Sequence, residues 1–252
     1  MKITFPPDNA NEAGAWRNSR VYEAFPIVFP LFTYLVIIWC TVVQYLVFSV
    51  RGDDVIQMVE MLNKLGAPTL QDPYAEPMWK FLSSCFVHDT SFLMHLIFNM
   101  MWLMTLGPLM ERGIGTFKTV LFFVATGFVS SAISTAITGV PGVGMSGVVY
   151  ALCGFMWTAW PRWTGFLEKF NGQTVKLLIF WQLICFVLTY TGSYNIGNFA
   201  HISGMAYGAL IGKWACVGNK HGKQWMAAAI AFTLFGIACA FKPLSAWFSF
   251  LT

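Results

Sequence analysis

The sequence predicts an all-α polytopic membrane protein: a core of six transmembrane helices with a seventh C-terminal helix after it. Three observations carry this. Only 10% of the 252 residues are charged, against about 25% in an average soluble domain. Hydrophobic residues make up 57% of the chain and the mean hydropathy is +0.61. The apolar residues also gather into runs near the roughly 17–25 residues that a helix needs to cross the hydrocarbon core.

Taken in order, residues 1–25 contain Asp8, Glu12 and Glu23 and no apolar stretch. They read as a short tail, and no cleavable signal peptide is expected. The first span is 26–50, uncharged throughout, and a polar outer loop, 51–90, follows it. Within that loop Val55, Met58, Val59, Leu62 and Leu65 recur at helical spacing, with Gln57, Glu60 and Lys64 between them. Such a helix suits the interface plane or the rim of a bundle, and Trp79 is placed to anchor the loop at the interface. Further spans are expected at 91–110, 117–138, 146–160, 175–190 and 198–216. A short turn containing His221-Gly-Lys-Gln224 then leads to a seventh span at 225–241. The chain thus divides into the tail 1–25, a six-helix core over 26–218, and a last helix with its tail over 219–252.

Eleven basic residues fall on one side of this arrangement: Lys2, Arg17, Arg20, Arg112, Lys118, Arg162, Lys169, Lys176, Lys213, Lys220 and Lys223. Four fall on the other: Arg51, Lys64, Lys80 and Lys242. Lys and Arg favour the cytoplasmic face, so the amino terminus is expected inside and, after seven spans, the carboxyl terminus outside. The net charge of +4 is not concentrated in any run that would suggest nucleic acid. The six cysteines show no CxxC spacing, and five lie in or beside apolar segments, so neither a disulfide framework nor a metal site is expected.

With this orientation, His95 and Asn99 lie in the outer part of span two, Ser146 opens span four, and His201 lies near the outer start of span six. A serine in an apolar helix most often bonds back to a carbonyl one turn earlier, and a lone intramembrane histidine most often bonds a neighbouring helix. Four polar groups at one depth point instead to a common site. Span four has only about 15 residues, roughly 22 Å of helix, against a core of about 30 Å, so water could reach Ser146 from outside. Gly204, Gly208 and Gly212 form a small-residue ridge on span six. Gly147, Ala151 and Gly154 on span four could receive it, bringing His201 toward Ser146.

The chain at this point resembles the rhomboid family of intramembrane serine proteases. The resemblance rests on His95-Leu-Ile-Phe-Asn99, Gly144-Met-Ser-Gly-Val-Val-Tyr150-Ala-Leu152, Ala200-His201-Ile-Ser-Gly204 with Gly208, and Gly107-Pro-Leu-Met-Glu111-Arg-Gly-Ile-Gly115. It spans about residues 79–215. It implies that Ser146 is the nucleophile and His201 the base of a Ser-His dyad, with no carboxylate to orient the imidazole. His95 and Asn99 would form an oxyanion hole with the Ser146 N–H. Tyr150 would pack on the histidine, and Gly144, Gly147 and Gly204 would support the site. Where the family has Trp-Arg in the outer loop, this chain has Trp79-Lys80, and Lys lacks the planar fork of Arg. The family also suggests a substrate gate near span five and its outer loop, 191–197.

The expected activity is endoproteolysis of single-span membrane proteins near their outer end, in the lipid bilayer, with no cofactor and no nucleic acid. The expected location is a bacterial inner membrane with the site open to the periplasmic side. The alternative is a catalytically silent relative that binds membrane clients, although such relatives typically lack the Ser or the His. A transporter would call for intramembrane acids or paired broken helices, and Glu111 is the only acid near a span.

Overall fold

Among the described residues, seven long helices carry the chain back and forth. They are α1 (Leu31–Val50), α4 (Leu93–Ile114), α5 (Thr116–Thr138), α6 (Ser146–Ala159), α7 (Gly172–Tyr190), α8 (Asn198–Cys216) and α9 (Asn219–Cys239). Two shorter helices, α2 (Val55–Lys64) and α3 (Lys80–Ser83), occupy the first loop, and 3-10 turns follow at Ser84–Phe86 and Thr164–Glu168. The computed structural model describes residues 29–50, 55–68, 72–89, 93–216 and 219–244, and no strand occurs among them. The tail 1–25 with its Lys2, Arg17 and Arg20, the first residues of span one, Arg51, Ser91 and the last eight residues lie outside the described residues.

Among the described residues, five helices are long and apolar enough to cross a membrane: α1, α4, α5, α7 and α9. The other two pack closely on each other. α6 has 14 residues, about 21 Å of helix, and nearly every side chain on it is buried. α8 has 19 residues but buries Asn198, His201, Ser203 and Lys213. These polar groups lower its hydropathy because they face protein rather than lipid.

The expected spans overlap these helices, and span six coincides with α8. α1 starts at Leu31, inside the span expected from 26, and α4 runs on to Ile114, past the end expected at 110. Two further starts differ. α7 begins at Gly172, where Asn171 caps it by accepting from the N–H groups of Gln173 and Thr174. α9 begins at Asn219, so His221-Gly-Lys-Gln224 is helix and not the expected turn. Hydropathy marks where lipid ends; a helix runs on through polar residues until its backbone geometry fails, and one glycine costs it only about 1 kcal/mol.

One end of the bundle is clasped by Glu111, which is fully buried. Its carboxyl group accepts from the Thr33 N–H at 2.7 Å, the Thr33 hydroxyl at 2.6 Å and the Thr116 hydroxyl at 3.0 Å, with the Phe32 N–H at 3.4 Å. Phe32 and Thr33 lie in the first turn of α1, where N–H groups have no intrahelical acceptor. Glu111 therefore caps α1 from 78 residues away and supplies the acid favoured at a helix N-terminus. A Cβ on Gly107, one turn earlier, would lie 2.5 Å from the Thr33 methyl, so the glycine lets α1 approach. Gly115, at φ +86°, makes the one-residue turn from α4 into α5.

The first loop is held from inside. Leu62 and Leu65 pack with Val43, Ala67 and Val87. Lys80 is buried and pairs with Glu76 at 2.9 Å, and Glu76 accepts from the Asn63 amide at 3.1 Å. Lys at the position of the family's Arg is thus the buried half of an ion pair that links α2 to α3. α9 packs on α5 and α8, with Tyr207 hydrogen-bonded to Thr233 and stacked on Phe232.

Candidate active site

At the end of the bundle opposite Glu111, three helix starts meet. α5 closes at Gly139, and a short loop leads through Gly144 into α6. Gly144 has φ +109°, a backbone region that side chains disfavour. A Cβ there would also lie 2.6 Å from Cε1 and Nε2 of His95. The glycine is therefore required twice, for its conformation and for the flat approach of the His95 ring.

The loop hangs from the segment after α3. The Gly144 N–H donates to the Ser84 carbonyl at 3.1 Å, and the Met145 N–H donates to Nε2 of His88 at 3.4 Å. The sequence motifs assign His88 no role. It is 1% exposed and meets the His95 ring edge-on at 5.2 Å. Burial first, and then the neighbouring His95, push its imidazole down to about 3, so it stays neutral and able to accept. The available signal was a histidine in a stretch of small and apolar residues seven positions before His95.

His95 and Asn99 stand one turn apart at the start of α4. The Asp89 N–H donates to Nδ1 of His95 at 3.4 Å, which leaves the proton on Nε2, the atom that faces Gly144. Asn99 is buried and donates one amide hydrogen to the His95 carbonyl at 2.8 Å. Its Nδ2 lies 3.7 Å from where a Gly144 Cβ would be, and its second hydrogen is available to that space. Two donors thus converge beside the residue pair that precedes Ser146.

α6 and α8 touch backbone to backbone. A Cβ on Gly204 would overlap the Gly147 carbonyl oxygen, one on Gly208 the Ala151 carbonyl oxygen, and one on Gly154 the Met205 carbonyl oxygen. These are the two small-residue ridges that the sequence offered. Tyr150 follows Ser146 by four residues, hence on the same helix face. The His201 ring lies parallel on Tyr150, with centroids 4.2 Å apart and planes 8° apart. The imidazole is thereby held against the Ser146 face of α6, and only 4% of His201 is exposed. Its Nδ1 is 3.1 Å from Oε1 of Gln182 on α7.

A cavity of about 180 Å³ opens between α6, α7 and α8, lined by Tyr150, Trp157, Leu178, Gln182, His201 and Met205 among others. It is largely apolar, with its polar groups at the His201 side. Among the described residues no cluster of three His, Cys, Asp or Glu side chains is disposed to hold a metal. A serine on a helix N-terminus, a neutral imidazole on its face and converging N–H donors can together perform acyl transfer.

Comparison with known proteins points the same way. A family model described as "Rhomboid domain" matches residues 75–217. The chain is similar to the rhomboid protease GlpG of Yersinia enterocolitica, at 27% identity over 221 residues, covering 81% of this chain and 73% of that protein. It is similar to the rhomboid protease GlpG of Klebsiella pneumoniae strain 342, at 28% over 233 residues, covering 87% and 78%. For the protein of the same name in Serratia proteamaculans the figures are 28% over 185 residues, covering 73% and 62%.

Proposed function

The chain belongs to the rhomboid family of intramembrane serine proteases, and on that premise we propose that it hydrolyses peptide bonds with a Ser146–His201 dyad. It is an integral multi-pass membrane protein. Nε2 of His201 takes the proton of the Ser146 hydroxyl as Oγ attacks the scissile carbonyl carbon. The oxyanion accepts from the Ser146 N–H, from Nε2–H of His95 and from the second amide hydrogen of Asn99. The Ser146 N–H belongs to the first turn of α6, where it has no helical acceptor and the helix dipole favours negative charge. His201 then gives its proton to the leaving amine. Water attacks the acyl-enzyme with His201 again as base, and Ser146 is regenerated. Tyr150 holds the imidazole plane.

The observation that carries this reading is the parallel stack of His201 on Tyr150, one turn from Ser146. The basic residues support a cytoplasmic amino terminus, which opens the site to the outer side. Substrates would be single-span membrane proteins that unwind near their outer end, because a helical peptide bond is shielded by its own turn.

The test is cleavage of a single-span reporter by purified protein in liposomes, beside Ser146→Ala and His201→Ala. Loss of cleavage in both folded variants supports the dyad. Robust cleavage by Ser146→Ala removes the assignment. An inert wild type whose Ser146 also resists a fluorophosphonate would replace it with the client-binding reading.

A further inference from the structure

We infer that Gln182 is a positioning residue for His201, the third member of the site, held in orientation by a directed hydrogen-bond chain that ends on a backbone carbonyl. This rests on the dyad proposed above. Nothing in the family motifs points to Gln182, which lies on α7, outside all four of them.

The polarity of the chain can be derived link by link. The Thr189 hydroxyl donates to the Cys185 carbonyl at 2.9 Å. A carbonyl only accepts, so the Thr189 proton is committed and its oxygen is free to accept. Asn198 Nδ2 donates to that oxygen at 2.8 Å, with the Cys185 carbonyl as a second, longer acceptor at 3.5 Å. The Asn198 amide is thereby fixed, and its Oδ1 faces Gln182. Gln182 Nε2 donates to Oδ1 at 2.7 Å. That fixes the second amide and leaves Oε1 as the atom 3.1 Å from Nδ1 of His201. Oε1 can only accept, so Nδ1 carries the imidazole proton and Nε2 is the unprotonated atom.

This is the tautomer that a general base requires. Neither amide can flip alone without facing like against like, and a joint flip would take the Thr189 hydroxyl off the Cys185 carbonyl and set the Asn198 oxygen 3.5 Å from it. His201 gains an oriented dipole whose negative end faces Nδ1, strengthening as the ring takes the Ser146 proton. An aspartate would stabilise the imidazolium more, but a carboxylate that is buried with the ring neutral carries a large desolvation penalty. A glutamine orients the ring without burying a charge. The chain also joins α7 to α8 through Gln182–Asn198, Thr189–Asn198 and Gln182–His201. Docking of α7 and alignment of His201 are therefore a single event.

The first experiment is ¹⁵N NMR of the imidazole rings in micelles at neutral pH, with the His201 signal assigned by its loss in His201→Ala. Protonated Nδ1 and bare Nε2 in the wild type are expected; the opposite tautomer overturns the inference without any change at Gln182. Cleavage kinetics follow. Gln182→Leu should lower kcat by about tenfold or more, leave KM within about twofold and mix the two tautomers. Gln182→Glu keeps an acceptor on Nδ1; Asn198 can turn its amide NH₂ toward the new carboxylate while its oxygen accepts from the Thr189 hydroxyl, so most of kcat should be recovered. Wild-type kcat in Gln182→Leu, or equal losses in both variants, would overturn it. Cleavage surviving in Ser146→Ala would instead fail the dyad, and the tautomer would still read the Gln182 contact.

Discussion

α7 and α8 flank the same cavity and have nearly the same length, yet they are held in opposite ways. α8 lies backbone to backbone on α6, with Gly204, Gly208 and Gly212 each filled by a neighbour's main chain or side chain. α7 buries only Gly172, Val175, Leu178 and Cys185. Most of its large residues face outward, among them Leu177, Phe180, Leu183 and Val187. Midway along its length it is tied by the Phe98–Trp181 ring contact on one side and by the Gln182–Asn198 hydrogen bond on the other. Lipid is as apolar as Leu, so helices gain little from burying apolar surface against each other and rely on close packing and hydrogen bonds. The rigid seam carries Ser146 and His201, where sub-ångström placement matters. The lightly held helix borders the cavity that His201 and Tyr150 line.

The contrast can be broken most severely at Gly208. Gly208→Leu would place a side chain on the Ala151 carbonyl and force the seam apart. A loss of about 3 kcal/mol or more is expected in thermal or denaturant unfolding in micelles, together with loss of fluorophosphonate labelling at Ser146. A stable, labelled variant would show that the seam is not close-packed.

Glu111→Gln sharpens the comparison by weakening the far end of the bundle while leaving seam and α7 alone. The new NH₂ group would face donors already committed to that position, at about 2–3 kcal/mol. Activity per folded molecule should be unchanged, which separates fold loss from site loss.

His88 tests the mount of the α6 loop. Its pKa is lowered to about 3 in the fold from 6.5, so protonation favours the unfolded chain. Its contribution is complete above about pH 6.5 and is lost as pH falls toward 3, at up to about 1.4 kcal/mol per pH unit. His88→Gln should show a shallower acid-induced loss of stability over that window, read from unfolding midpoints at stepped pH. The smallest effect is expected from Leu177→Ala on the exposed face of α7, within about 0.5 kcal/mol. A larger shift would mean that α7 is packed on that face after all.

Much of this architecture was legible in the chain because a bilayer leaves few choices. Apolar runs become helices, since backbone N–H and C=O groups have no other partner there. For α8 the run marked both ends. The pairing of Gly147, Ala151 and Gly154 with Gly204 and Gly208 was legible too, because small residues four apart form a ridge on any helix. Helix starts were less so: Asn171 and Asn219 begin helices in polar sequence, where hydropathy is silent.

By itself the sequence determined the helices, the faces carrying Ser146, Tyr150, His95 and Asn99, and the small residues that set the closest approach. Each follows from spacing along one helix, which is local. Only the tertiary structure decided that Glu111 caps α1, that His88 carries the α6 loop, that Lys80 is buried against Glu76, and that Gln182 faces His201. Three of these four contacts join groups far apart in the chain or on different helices. Even the Lys80–Glu76 pair, four residues apart, owes its burial to the loop packed around it. A hydrogen bond has direction and a reach of about 3 Å, so which polar groups pair is settled only once the helices have packed.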